Sequence, residues 1–197
     1  MLLKSKHYLT KQKKNDENEN DRAIHLFRLE PKLIAEDVGG WDKTRLRKFS
    51  VAVAYSTIDQ RLHIFSEKNI AKLMRLLLSG PVVVGYNIKN FDFEILAGYP
   101  KVKTGKIKCL DLMQAIQEKI GHRISLQNLR EANFFEFEEG ECEDPITLWK
   151  KGKHYELIEH CCNDVLAIKR IHELGRSKKK ILYNKTHTES AALKMGW

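Results

Sequence analysis

The stretch from Pro81 to Leu96, PVVVGYNIKNFDFEIL, constrains this chain more than any other. Three consecutive valines make a short apolar run of the kind that fills a strand buried on both faces. Gly85 ends the run and lets the backbone turn. Asn87 and Asn90 follow, and Asp92 stands at the start of a helical pattern carried by Phe91, Ile95 and Leu96. In open α/β sheets, ligands bind beyond the carboxyl ends of the strands, which is where this order puts Asp92. Taken alone, Asp92 reads equally well as a helix-start acid held by first-turn amides and the helix dipole. The rest of the chain has to decide between the two.

Around this stretch the pattern predicts an α/β fold. Ala23 to Glu30, AIHLFRLE, alternates as a first strand. Ile24, Leu26, Arg28 and Glu30 share one face and His25, Phe27 and Leu29 the other. The glycines of AEDVGGW (residues 35–41) permit a sharp turn. Phe49–Thr57 and Arg61–Phe65 form a hairpin of two further strands. Helical spacing follows over Glu67–Leu78, then the valine strand, then a short strand over Lys106–Leu110. Asp111 is expected to cap a helix over 112–119, and Ser125 another. His154 to Leu174 is a long amphipathic helix, expected to stop at Gly175. Residues 181–185 and 191–197 can pair as a terminal hairpin. About five strands result, the first three antiparallel, in a mixed sheet flanked by helices.

With 197 residues and 42% apolar content, residues 22–197 are expected to form one domain. Residues 1–21 are lysine-rich and then read NDENEND, a composition expected to be disordered. The formal net charge is +9 and the pI near 9.3, which favours a polyanionic partner such as nucleic acid. Much of that charge lies in residues 1–14 and in RSKKK at 176–180, where solvated tails are an equally good account. The four cysteines (Cys109, Cys142, Cys161, Cys162) contain no C-x-x-C pair, so zinc-ribbon spacing is absent and free thiols in a reducing cytoplasm are expected. No apolar run has the length of a membrane span, and the N-terminus lacks a signal-peptide core.

The motif N-x-x-N-F-D-x-x-x-L at Asn87–Leu96 resembles the second metal-binding motif of the DEDD superfamily of 3′–5′ exonucleases, which have a ribonuclease-H-like fold. Glu159-His160-Cys161-Cys162-Asn163-Asp164 resembles the third motif, with His160 four residues before Asp164, where the Tyr form of the family has its tyrosine. The resemblance covers roughly Ala23 to Trp197. Phrases such as VGGW (38–41), GHRISL (121–126) and LWKKG (148–152) are similar to a bacterial, helicase-associated, YprB-like branch of predicted exonuclease domains.

This resemblance implies two-metal hydrolysis of phosphodiester bonds by Mg2+ or Mn2+. Glu30, Asp92 and Asp164 would be metal ligands and His160 would position the attacking water. Asn87, Asn90 and Phe91 are candidate nucleic-acid contacts. The expected partners are a single-stranded DNA or RNA end and a helicase or other protein. The first motif departs from the family pattern F-D-x-E-T: the chain reads Phe27-Arg28-Leu29-Glu30-Pro31. Arg28 stands where an aspartate should bridge both metals, and a guanidinium has no lone pair for a cation and a fixed positive charge. Impaired catalysis is therefore expected, with a non-catalytic pseudo-nuclease that binds nucleic acid or a protein as the alternative. Five acids, Glu138, Glu139, Glu141, Glu143 and Asp144, precede LWKKG and are expected to repel phosphate there. Trp41, Trp149 and Trp197 are expected in core or lid packing rather than base stacking.

Overall fold

The computed structural model describes residues 23–80, 82–134, 143–186 and 188–197. The expected disorder of residues 1–21, and the placements of Cys142, Glu138, Glu139 and Glu141, lie outside the described residues.

Strand β1 (Ile24–Pro31) is the centre of a five-stranded sheet. It pairs antiparallel with β2 (Phe49–Ser56), and β2 pairs antiparallel with the edge strand β3 (Arg61–Phe65). On its other side β1 runs parallel to β4 (Val82–Gly85), and β4 runs parallel to β5 (Cys109–Asp111). The order β3-β2-β1-β4-β5 is mixed, with its antiparallel part formed by the first three strands.

Alternation along β1 divides the core in two. Leu26, with Val51, Val53 and Val84, faces one layer. There it meets Leu157, Cys161, Val165, Ile168 and Ile171 of α6 (His154–Ser177), and Leu112 and Ile116 of α3 (Leu112–Ile120). Phe27 and Leu29 face the other, against Leu73 and Leu77 of α1 (Ile70–Ser79) and Ile95 and Leu96 of α2 (Phe93–Ala97). Each such side chain, fully buried, contributes about 1.5–3 kcal/mol. The sheet is thereby fixed between helices, with α6 lying across β1.

Two small helices complete this layer: α4 (Leu126–Asn133), capped by the Ser125 hydroxyl, which accepts from Asn128 N at 3.0 Å, and α5 (Pro145–Lys150). The second sheet is a hairpin of β6 (Lys180–Asn184) and β7 (Ser190–Lys194). Two asparagines of α4 fasten it. Asn133 accepts from Leu182 N at 3.0 Å and donates to Leu182 O at 2.8 Å. Asn128 makes the same pair of bonds with Asn184, at 2.9 and 2.8 Å.

Three expectations are corrected here. Helix α6 does not stop at Gly175 but runs to Ser177. Gly175 is buried because the Trp197 indole packs on it; a Cβ there would lie 2.4 Å from Trp197 Cε2. The indole is held by a bond from its Nε1 to His172 O at 2.9 Å, so Trp197 packs as expected. Trp41, in contrast, is 69% exposed and belongs to no core. The helical winding near Asp92 begins four residues early, as a π-helical turn over Ile88–Asp92 that leads into α2. Asn87 precedes it with φ 59°, a conformation asparagine tolerates better than most residues.

Candidate functional site

The site lies where β4 ends short of β1. The two strands pair only over Ile24–Leu26 and Val82–Val84, so the Leu29 N–H has no strand partner on that side. The Asp92 carboxylate supplies one: its Oδ1 accepts from Leu29 N at 2.9 Å. Asp92 is therefore not a helix cap. The wider π-helical turn carries it inward, where it is 1% exposed and its Oδ2 has no hydrogen-bond partner. Burial pushes its carboxyl up to about 7, against the opposing pull of the Arg28 charge and the Leu29 N–H.

The turn itself is held by Asp111. Its Oδ1 caps α3, accepting from Met113 N at 3.1 Å and Gln114 N at 3.3 Å. The same carboxylate reaches back to the turn, accepting from Asn87 N at 2.9 Å and Lys89 N at 3.1 Å. The expected cap is present, and it also ties β4's exit loop to the next helix.

Glu30 and Asp164 converge from β1 and α6. Both are buried. With His160 they can bring one ligand atom each to within 4.8 Å of one another. The i, i+4 spacing of His160 and Asp164 on α6 accounts for their shared face. Asp92 is not part of that group.

Arg28 lies between the acids. Its Nε is 3.2 Å from Glu30 Oε1 and 3.5 Å from Asp164 Oδ2. Burial works against the Arg28 charge, but Glu30, Asp92 and Asp164 more than offset it and hold the guanidinium firmly protonated. Glu30 is pushed up by burial, with Arg28 opposing. A second guanidinium, which sequence reasoning missed, completes the network: Arg130 Nη1 of α4 donates to Asp164 Oδ1 at 3.1 Å. The spacing from Leu126 places Arg130 on the inward face of α4, but it does not name Asp164 as the partner.

This donor set does not fit a pair of divalent cations. Two metals 3.5–4 Å apart need anionic oxygen ligands free to bind them. Here both Asp164 oxygens and one Glu30 oxygen face guanidinium groups. Two fixed positive charges face three carboxylates, so these five side chains carry at most one net negative charge.

From Arg28 a chain of cation–ring contacts leads outward. The Arg28 guanidinium carbon is 6.0 Å from the Phe91 ring centre, and that of Arg47 is 5.0 Å from the same ring. Arg47 is also 5.2 Å from the centre of the exposed Trp41 indole. Phe91 is thus a half-buried partner of two arginines, while Asn90 is exposed and Asn87 half-buried. Of the five acids expected to repel phosphate, the two described are already engaged. Glu143 pairs with Lys151 at 3.0 Å and Lys153 at 2.7 Å, and Asp144 caps α5 by accepting from Ile146 N and Thr147 N.

No known protein-family profile matches the chain, and no curated protein matches it. Among solved structures it is similar to a family B DNA polymerase from the hyperthermophilic archaeon Pyrobaculum calidifontis. The TM-score is 0.56 with 16% identity over 78% of this chain. The chain spans about a quarter (24%) of that polymerase's length. At such identity the likeness concerns the fold: a mixed five-stranded sheet flanked by helices, of ribonuclease-H-like type, with a terminal antiparallel hairpin. Among the described residues no helix is long and apolar enough to cross a membrane.

Proposed function

We propose that this chain is an exonuclease-like nucleic-acid-processing domain that binds single-stranded DNA or RNA ends and in which two-metal hydrolysis is impaired. One observation carries the reading: the Arg28 guanidinium lies between Glu30 and Asp164, where the DEDD pattern has a metal-bridging aspartate. The motifs around Asp92 and Asp164, the net charge of +9 and the likeness to part of a DNA polymerase support the nucleic-acid side of it. In this reading Arg28 and Arg130 do electrostatically what cations would do for the acids, and Asp92 has become a structural acceptor for β1.

The test is a pair of assays on the full chain with a short fluorescent single-stranded oligonucleotide. Anisotropy is expected to show binding in EDTA as well as in Mn2+. Affinity should fall with salt at a log–log slope of about −0.7 per phosphate contacted. No trimming of the 3′ end is expected in Mn2+. Trimming that Asp92→Ala abolishes would overturn the impaired-catalysis reading, and absence of binding to both DNA and RNA would overturn the nucleic-acid reading.

A further inference from the structure

We propose that the outer face of the Trp41 indole is a stacking platform for one base of a single-stranded nucleic acid, set at the outer end of the contacts that lead to Arg28. The inference rests on the nucleic-acid reading above and adds a binding residue to it.

Trp41 differs from the other two tryptophans. Trp197 is packed on Gly175, and Trp149 is half-buried beneath the Lys32 ammonium, 5.1 Å from its ring centre. Trp41 leaves 69% of its surface in water, although a large aromatic side chain gains most when it is covered. Its position is nevertheless held. Gly39 and Gly40, at φ 88° and 129°, adopt backbone angles that L side chains rarely take, and so set the entry into the 3-10 stretch Trp41–Leu46. The Thr44 hydroxyl donates to Trp41 O at 2.7 Å and closes the turn.

Beside the indole lies Arg47, a cation only 4% exposed. Its Nε donates to Leu33 O at 2.7 Å, while its Nη1 is buried with no hydrogen-bond partner. The Trp41 and Phe91 rings provide its π partners, at 5.2 and 5.0 Å. A guanidinium over a ring face attracts it, which favours this placement of the indole. The remainder of the indole surface is left open to solvent.

An exposed, oriented aromatic on a basic chain is the device by which proteins hold single strands without reading sequence. Every base has a π face, and phosphate is drawn by the surrounding charge. The next aromatic inward, Phe91, already has two arginines over its ring and is half-buried. Of the two rings on this path, the open indole is therefore the one available to a base, and Phe91 lies against the arginines that lead inward.

The experiment compares the full chain with Trp41→Ala, Trp41→Leu and Trp41→Phe. Each is titrated into fluorescein-labelled oligo(dT) in anisotropy, with thermal unfolding measured alongside. Trp41→Leu keeps an apolar cover over Arg47 without a π face. Both it and Trp41→Ala are expected to bind about 5- to 150-fold more weakly, the equivalent of about 1–3 kcal/mol per stacked base. Trp41→Phe is expected to keep most of the affinity. Unchanged affinity in Trp41→Leu, with or without a lower melting point, would overturn the proposal and leave Trp41 as a cover for Arg47. Absence of binding by the unaltered chain would overturn the proposed function itself, a separate result from loss in the variants alone.

Discussion

Arg28→Asp should convert the site into one that takes divalent cations. In the native chain the Arg28 charge lies 3.2 Å from one Glu30 oxygen and 3.5 Å from one Asp164 oxygen. A dication held about 4 Å from a unit charge interacts with it by about 8 kcal/mol at an effective dielectric of 20, so replacing a positive by a negative charge shifts the bare attraction by about 17 kcal/mol. Desolvation of the new carboxylate and its repulsion from Glu30 and Asp164 offset most of this. If a fifth survives, about 3 kcal/mol, affinity rises more than a hundredfold. The variant without metal should be less stable than the native chain by about 3–5 kcal/mol, because breaking a buried pair strands its partner charges. Mn2+ at a hundred times its dissociation constant should then return about 2.7 kcal/mol. Calorimetric titration reads the affinity, and melting with and without Mn2+ reads the stability. The expected pattern is a large Mn2+-dependent rise in melting point for the variant and little for the native chain. A folded Arg28→Asp chain with no binding heat and no such rise would refute the reasoning, as would native-chain binding as tight as the variant's.

Two further outcomes follow from single side chains. Asp92 is held at about 7, above its ordinary 3.8, so the native state binds more protons than the unfolded state between those values. Stability is therefore lost as pH rises from about 4 through 7. Asp92→Asn keeps an oxygen for Leu29 N and should be more stable than the native chain at pH 8, by up to about 4 kcal/mol at 1.36 kcal/mol per unit, with the difference vanishing near pH 4; urea unfolding at both pH values measures it, and a less stable variant at pH 8 would contradict it. Gly175→Ala would put a Cβ 2.4 Å from Trp197 Cε2 and should cost about 1–3 kcal/mol by overpacking. The gain in helix propensity, about 1 kcal/mol, should not compensate. Red-shifted tryptophan emission and a lower melting point are expected, and a more stable variant would show that propensity wins.

The parts of this fold that repeat locally were legible in the sequence. Alternation in AIHLFRLE placed Arg28 and Glu30 on one face, and the valine run marked the strand beside them. The spacing of His160 and Asp164 put both on one helical face. What escaped depends on contacts between distant segments. Arg130 meets Asp164 across 34 positions, and nothing near Arg130 announces its partner. Gly175 reads as a helix stop because glycine usually ends helices; its missing Cβ instead makes room for Trp197, which lies far along the chain. Asp92 reads as a cap because aspartate favours helix starts. Its actual partner, Leu29 N, is orphaned only because β4 is so short. The Trp41–Arg47–Phe91 contacts join the 3-10 stretch that begins at Trp41 to the π-helical turn over Ile88–Asp92, and no periodicity records them.

The asparagines that fasten the terminal hairpin bear on how the molecule behaves at high concentration. Leu182 and Asn184 point their amide and carbonyl groups away from β7, and a bare strand edge of that kind templates pairing with another chain. Asn133 and Asn128 meet those groups with side-chain amides that imitate the backbone of an adjoining strand. The helix thus acts as a surrogate third strand. It seals that edge against fibre-like growth, at the expense of two residues that do not favour helices. Colloidal stability and the hold of α4 on the hairpin are consequently one property. A change that loosens Asn128 or Asn133 uncovers the backbone groups of Leu182 and Asn184, which are then left to water or to a pairing strand.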